Sequence, residues 1–167
     1  LLASYHPVLR DPRVSVAVPI AAPGDFFGEA FYDFADVPLM LLASDHDAIV
    51  SYPHNALAAF ARANLPKTLV TLVAGSHTGW SIFGPLFLES YFNPDTVGCD
   101  ALVGQLPGEG GSFIDLLGGE SAGLVPSTAP YPCSGVMAGW LQHESMRPSR
   151  QHALTIAAVR PFLDLHL

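Results

Sequence analysis

Residues 37–80 read VPLMLLASDHDAIVSYPHNALAAFARANLPKTLVTLVAGSHTGW. Two apolar runs frame the stretch. The first, over 37–43, ends in Ser44-Asp45-His46-Asp47, and the second, over 68–74, ends in Gly75-Ser76-His77. Short, continuous apolar runs rich in β-branched and aliphatic residues predict strands buried on both faces, the pattern of a parallel sheet. Between them Ser51 is a candidate helix cap and Pro53 stands near the first turn, where proline is favoured. Leu57, Phe60 and Ala61 recur at helical spacing and predict one apolar face, and Pro66 is a stop signal. Two strands joined by a helix imply a parallel pair with a crossover. The ends of such strands converge on one edge, the usual place for a ligand site. Asp45, Asp47 and His77 all fall there.

Outward from this stretch the readings are coarser. Residues 14–20, VSVAVPI, predict a third strand with Pro19 near its end, where a missing N–H is tolerable. Residues 1–6 read as the end of a helix that Pro7 does not allow to continue. Residues 21–36 read as a loop rich in aromatics (Phe26, Phe27, Phe31, Tyr32, Phe34), whose role is packing or the lining of an apolar cleft. Residues 82–92 suggest a short apolar helix broken or begun at Gly84-Pro85. Residues 93–139, rich in Gly, Pro and Ser, predict irregular coil with short helical pieces, anchored by Leu102, Phe113, Ile114, Leu116 and Leu117. Helical periodicity returns over 149–167, with Pro161 expected to interrupt or kink it. The organisation is one α/β domain: a sheet core over 1–80 carrying the acid and the histidine, a loop-rich insertion over 81–147, and a C-terminal helix over 148–167.

Bulk composition narrows the function classes. The chain of 167 residues is 50 % hydrophobic and 13 % charged, which excludes a disordered protein or a coiled coil. A net charge of −8 argues against a nucleic-acid partner, which calls for basic patches. No apolar run reaches the roughly 18 residues of a membrane span. The opening residues lack a signal-peptide pattern, and they read as the interior of a longer protein, so the chain is expected to be a C-terminal fragment. Cys99 and Cys133 belong to no CxxC pair, which leaves a zinc site unsupported. They are either a disulfide, favoured by their loop-rich setting, or two separate buried thiols. A bridge would favour an extracellular or periplasmic location.

A carboxylate that holds an imidazole in one tautomer, with the imidazole taking a proton from a hydroxyl, is the acid–base half of a nucleophilic triad. The spacing of these residues resembles the C-terminal half of an α/β-hydrolase, close to dienelactone-hydrolase-like, polyester-hydrolase-like and platelet-activating-factor-acetylhydrolase-like esterases. That family's acid pattern, G-x-x-D-x-I-V-P, is met by Ser44-Asp45-His46-Asp47-Ala48-Ile49-Val50-Ser51, with Ser44 and Ser51 in place of glycine and proline. Its histidine pattern, G-x-x-H-x-G-F, is matched by Ala74-Gly75-Ser76-His77-Thr78-Gly79-Trp80. The resemblance makes Asp47 the acid, ahead of Asp45, and His77 the base. It covers about the first half of the chain and the last helix. Its chain order of nucleophile, acid, histidine puts the serine elbow and the oxyanion hole upstream of Leu1.

The implied activity is a serine hydrolase acting on carboxylic esters through an acyl-enzyme, without a cofactor, on a small-molecule ester with an apolar portion hinted at by Phe26, Phe27 and Trp80. The fragment alone is expected to be inactive. The same fold also hosts dehalogenases, epoxide hydrolases, peptidases, acyltransferases and non-catalytic binding proteins. Gly119-Glu120-Ser121-Ala122-Gly123 fits G-x-S-x-G, but an elbow needs a strand before it and a helix after it, and LVPSTAPYPC cannot be a helix. Asp45, His46 and Asp47 are too close in sequence to face one metal from a strand, and His143-Glu144 lacks the second histidine of a zinc-protease motif. His54, His152 and His166 are expected on helix surfaces.

Overall fold

The computed structural model describes residues 11–34, 36–64, 66–103, 105, 114 and 119–167. Its centre is a parallel pair, β1 (Leu39–Ser44) and β2 (Lys67–Leu72), in register from Leu39 opposite Lys67 to Ser44 opposite Leu72. Successive side chains of β1 alternate between the two faces. Met40 and Leu42 pack on Phe162, with Val16, Val18, Val70, Trp80, Val159 and Leu163 around them. Leu41 packs on the other side with Phe31, Tyr32, Ala59 and Ala63. The unbroken apolar run is therefore explained: β1 is covered on both faces.

The third expected strand is reduced to two contacts. Ala17 and Ile20 make isolated parallel bridges to Leu39 and Leu42 on the free edge of β1. Met40 N–H donates to the Ala17 carbonyl at 3.0 Å and Leu42 N–H to the Pro19 carbonyl at 3.0 Å. Pro19 has no N–H to return, and that gap in the ladder is why the segment does not become a regular strand.

Helix α1 (Glu29–Phe34) interrupts what reads as a loop. Phe31 and Tyr32 on it are buried, and Phe27, just before it, stacks on Phe31 at 4.3 Å between ring centroids. The crossover helix begins as a π-helical turn (Pro53–Leu57) and continues as α2 (Ala58–Arg62), with Pro53 in its first turn as expected. Ser51 does not cap it; its hydroxyl pairs with His54 Nδ1 at 2.8 Å. The buried face is Ala56, Ala59 and Ala63, while Leu57 is 41 % exposed, which corrects the face expected from Leu57, Phe60 and Ala61. Small side chains let this helix approach the 19–27 loop closely. A Cβ on Gly24 would lie 2.8 Å from the Ala59 methyl.

In the loop-rich half, α3 (Asp95–Val103) and α4 (Gly135–Gly139) are the regular pieces, with a 3-10 turn at Glu120–Ala122 and another at Trp140–Gln142. Residues 84–88 form an isolated π-helical turn (Gly84–Leu88) with Leu86 and Phe87 exposed. Ile114 is buried against Phe26 and Leu124 and anchors this half as expected; Phe113, Leu116 and Leu117, like residues 1–10, lie outside the described residues. Buried Asp25 ties the loop at 127–129 to the body, accepting from Ser127 Oγ at 2.6 Å, Thr128 N at 2.6 Å and Ala129 N at 3.0 Å. Cys99 and Cys133 are joined in a disulfide with Cα atoms 5.6 Å apart. Helix α5 (Pro148–His166) runs through Pro161 without interruption. Among the described residues no helix is long and apolar enough to cross a membrane.

Candidate active site

The site is built from the two turns that follow β1 and β2. After Ser44 the chain turns through Asp45 to Asp47, and each carboxylate has its own task. Asp45 Oδ1 accepts from Ala74 N at 2.7 Å, which supports Ala74 in its left-handed backbone conformation, φ 57°. Asp47, 2 % exposed, folds back on its own turn: Oδ1 accepts from Ile49 N at 2.8 Å and Val50 N at 2.6 Å. Its other oxygen, Oδ2, lies 3.0 Å from His77 Nδ1. Of the two carboxylates named by the sequence, Asp47 is the one on the histidine.

His77 opens the 3-10 turn Thr78–Trp80. Helix α5 holds that turn from behind. Gln151 is fully buried, and its side-chain amide accepts from Ser76 N at 3.1 Å and donates to Ser76 O at 2.7 Å. One turn along, Thr155 Oγ1 accepts from Trp80 Nε1 at 2.8 Å. Trp80 thus packs with α5 rather than over a cleft. His152 Nε2 sits 3.1 Å from the Gly79 carbonyl; His54 and His166 likewise have partners, the Ser51 hydroxyl and the Phe162 ring, instead of lying free on helix surfaces.

The imidazole is buried on its Nδ1 side and 32 % exposed as a whole side chain. Its Nε2 has no hydrogen-bond partner among the described residues. With Nδ1–H directed at Asp47, Nε2 carries the lone pair and can accept a proton. Burial is the largest influence on Asp47 and pushes its carboxyl above the ordinary carboxylate range, although the His77 hydrogen bond, the His77 charge and the Val50 N–H favour the ionised form. Burial is also the largest single influence on His77, where it opposes the charge. The hydrogen bond to Asp47 and the charges of Asp47 and Asp95 outweigh it, so the imidazole is lifted above its usual value.

Asp95 went unread in the sequence. It is fully buried at the start of α3 and accepts from three backbone N–H groups: Ala48 and His77 on Oδ2, each at 3.0 Å, and Thr78 on Oδ1 at 2.6 Å. A local cue does exist. Asn93-Pro94-Asp95 carries the cap, first-turn proline and first-turn acid of a helix start, and Asn93 Oδ1 does accept from Asp95 N at 2.9 Å.

Ser121 lies in the 3-10 turn, with extended coil rather than a helix after Gly123. Among the described residues no group of three or more His, Cys, Asp or Glu side chains could hold a metal. An apolar cavity of about 280 Å³ lies over the Leu41 face of β1, reaching Asp47, Val50, Phe27, Phe31 and Tyr32. Comparison with known proteins found no matching family model, curated protein or solved structure.

Proposed function

We infer that this chain supplies the acid and the base of a serine hydrolase that acts on carboxylic esters, on an α/β-hydrolase scaffold whose nucleophile and oxyanion hole lie upstream of Leu1. The observation that carries the reading is the 3.0 Å pairing of buried Asp47 with His77 Nδ1 at one edge of a parallel sheet. Asp47 fixes the tautomer and stabilises the imidazolium; His77 Nε2 is the proton acceptor.

The upstream serine attacks the ester carbonyl carbon while its proton passes to Nε2. The imidazolium then protonates the departing alkoxide, which leaves as the alcohol. Water, deprotonated by the same nitrogen, releases the acid and restores the serine. The residues of this chain need no cofactor for these steps. The apolar cavity borders Asp47, though not His77, and would take an apolar acyl or alcohol part of the substrate. The disulfide is compatible with an extracellular or periplasmic site of action.

The test uses the full-length protein, a fluorophosphonate probe and a p-nitrophenyl ester. Labelling of a serine upstream of Leu1, with His77→Ala lowering turnover by several orders of magnitude, is the expected result. Labelling of Ser121, or full turnover by His77→Ala, would overturn the reading.

A further inference from the structure

The Asp47–His77 contact joins two turns that are 30 residues apart in the chain. Neither turn fixes the other by itself, and a misplacement of about 1 Å at a reacting pair costs about 100-fold in rate. Something must hold the two turns at one separation. Asp95 touches both: its Oδ2 accepts from Ala48 N on the acid turn and from His77 N on the base turn, and its Oδ1 accepts from Thr78 N.

We propose that Asp95 is a positioning residue that braces the Asp47 turn against the His77 turn, and that the Cys99–Cys133 bridge keeps its helix seated on them. The proposal rests on the reading of Asp47 and His77 as acid and base. Four further observations support it. Asp95 is fully buried, so it meets no substrate, and a buried carboxylate is tolerated only when its oxygens are well supplied with donors. Asn93 anchors the start of the helix to the 140–143 turn, donating from Nδ2 to the Trp140 carbonyl at 3.0 Å. Cys99 lies one turn beyond Asp95, and its partner Cys133 donates its N–H to the Ala48 carbonyl at 2.8 Å. The Ala48 residue is thereby held at its N–H by Asp95 and at its carbonyl by Cys133. Finally, Gly98 brings the helix backbone so close that an added Cβ would meet both Thr78 Oγ1 and, at 2.9 Å, Ile49 Cδ1, one from each turn.

Asp95→Asn in the full-length protein tests this. The amide keeps the shape but has one oxygen, so at least one of the three N–H groups faces an NH₂ and loses its acceptor. The expected result is a fall in kcat of about 10- to 100-fold, the range for losing a group that orients a functional side chain from behind, with KM unchanged. The acid limb of the kcat profile should move to lower pH, because of the two carboxylates facing His77, Asp47 and Asp95, one charge is gone. The paired Cys99→Ala, Cys133→Ala variant should change kcat in the same direction. His77→Ala is run alongside. If it abolishes turnover while Asp95→Asn leaves kcat and the acid limb in place, the brace is refuted and the hydrolase reading stands; if it leaves turnover intact, the hydrolase reading itself fails. Should Asp95→Asn not fold, amide hydrogen exchange in the unaltered protein decides. The N–H groups of Ala48, His77 and Thr78 share one acceptor residue and should exchange together, whereas unrelated rates for the two turns would refute the brace.

Discussion

Removing the Cys99–Cys133 bridge by the paired substitution Cys99→Ala, Cys133→Ala should destabilise the protein by an amount set by loop length. The cysteines are 34 residues apart. Restricting a loop of that length in the unfolded chain is worth about 3.8 kcal/mol at 25 °C. In urea that corresponds to a fall in midpoint of about 1–4 M, depending on how steeply stability declines with denaturant. Trp140, which lies beside the bridged segment and stacks on His46 at 4.5 Å, gives a fluorescence readout. Because the effect belongs to the pair, Cys99→Ala alone should cost nearly as much as both substitutions together, a strong failure of additivity. The reasoning is refuted if the double variant stays within about 1 kcal/mol of the parent, the size of an ordinary point substitution, or if the two single losses simply add.

Other consequences follow from the same geometry. Asp47→Asn keeps an oxygen for Ile49 N and Val50 N but turns an NH₂ toward His77 Nδ1; the imidazole should switch to its Nε2–H tautomer, visible in ¹⁵N spectra, and kcat should fall about 10⁴-fold. His77 is raised above its ordinary value in the folded state. Its contribution to stability is therefore complete below the unfolded imidazole value, about 6.5, and is lost as pH rises through the folded one; denaturation curves of the parent and His77→Gln should diverge as pH is lowered through that window. In the same way, turnover should rise with pH along a limb lying above the ordinary imidazole range, since the base works unprotonated. Gly98→Ala should destabilise by about 1–3 kcal/mol through overpacking against Thr78 and Ile49, despite the better helix propensity of alanine; equal or raised thermal stability would contradict the close seating of α3.

The parts of the fold that could be read from the sequence are those with a local signature. Continuous apolar runs identified β1, which is covered on two sides, and β2, which is half-buried with Leu69 turned to one core cluster and Val70 to the other, and the polar residues just past them could only sit at the sheet edge. Asp47 over Asp45 came from motif register alone, yet the geometry has a simple cause: Asp45 is already engaged by Ala74 N. Where reading failed, the deciding contacts were remote or depended on size. The 14–20 run has strand composition, but Pro19 leaves one ladder position without a donor. The crossover helix shows its larger apolar residues at helical spacing, while the sheet takes the alanines, since a closer approach removes more water from both surfaces. Asp95 was missed because its partners lie 17 to 47 residues away, and no local pattern marks a carboxylate as the acceptor for distant backbone donors.

The loops around the site raise a problem that helices and strands do not have. Their backbone N–H groups are buried without a ladder to satisfy them, and an unmet buried donor costs about 1–3 kcal/mol. One ionised carboxylate offers about four acceptor positions. It can satisfy several such donors at once, even when they belong to different loops. Among the described residues Asp25 gathers the 127–129 loop, Asp47 closes its own turn, and Asp95 takes donors from both turns of the site. Neutral acceptors would need more residues to do the same and would bind less strongly, since hydrogen bonds to a charged partner are roughly twice as strong. A carboxylate serving as a brace also leaves its charge beside whatever it holds. At Asp95 that charge lies close to His77, and the group that fixes the histidine's position therefore also favours its protonated form. Structural support and electrostatic tuning of the histidine are, at this position, a single interaction, so substitutions at residue 95 should shift position and protonation together.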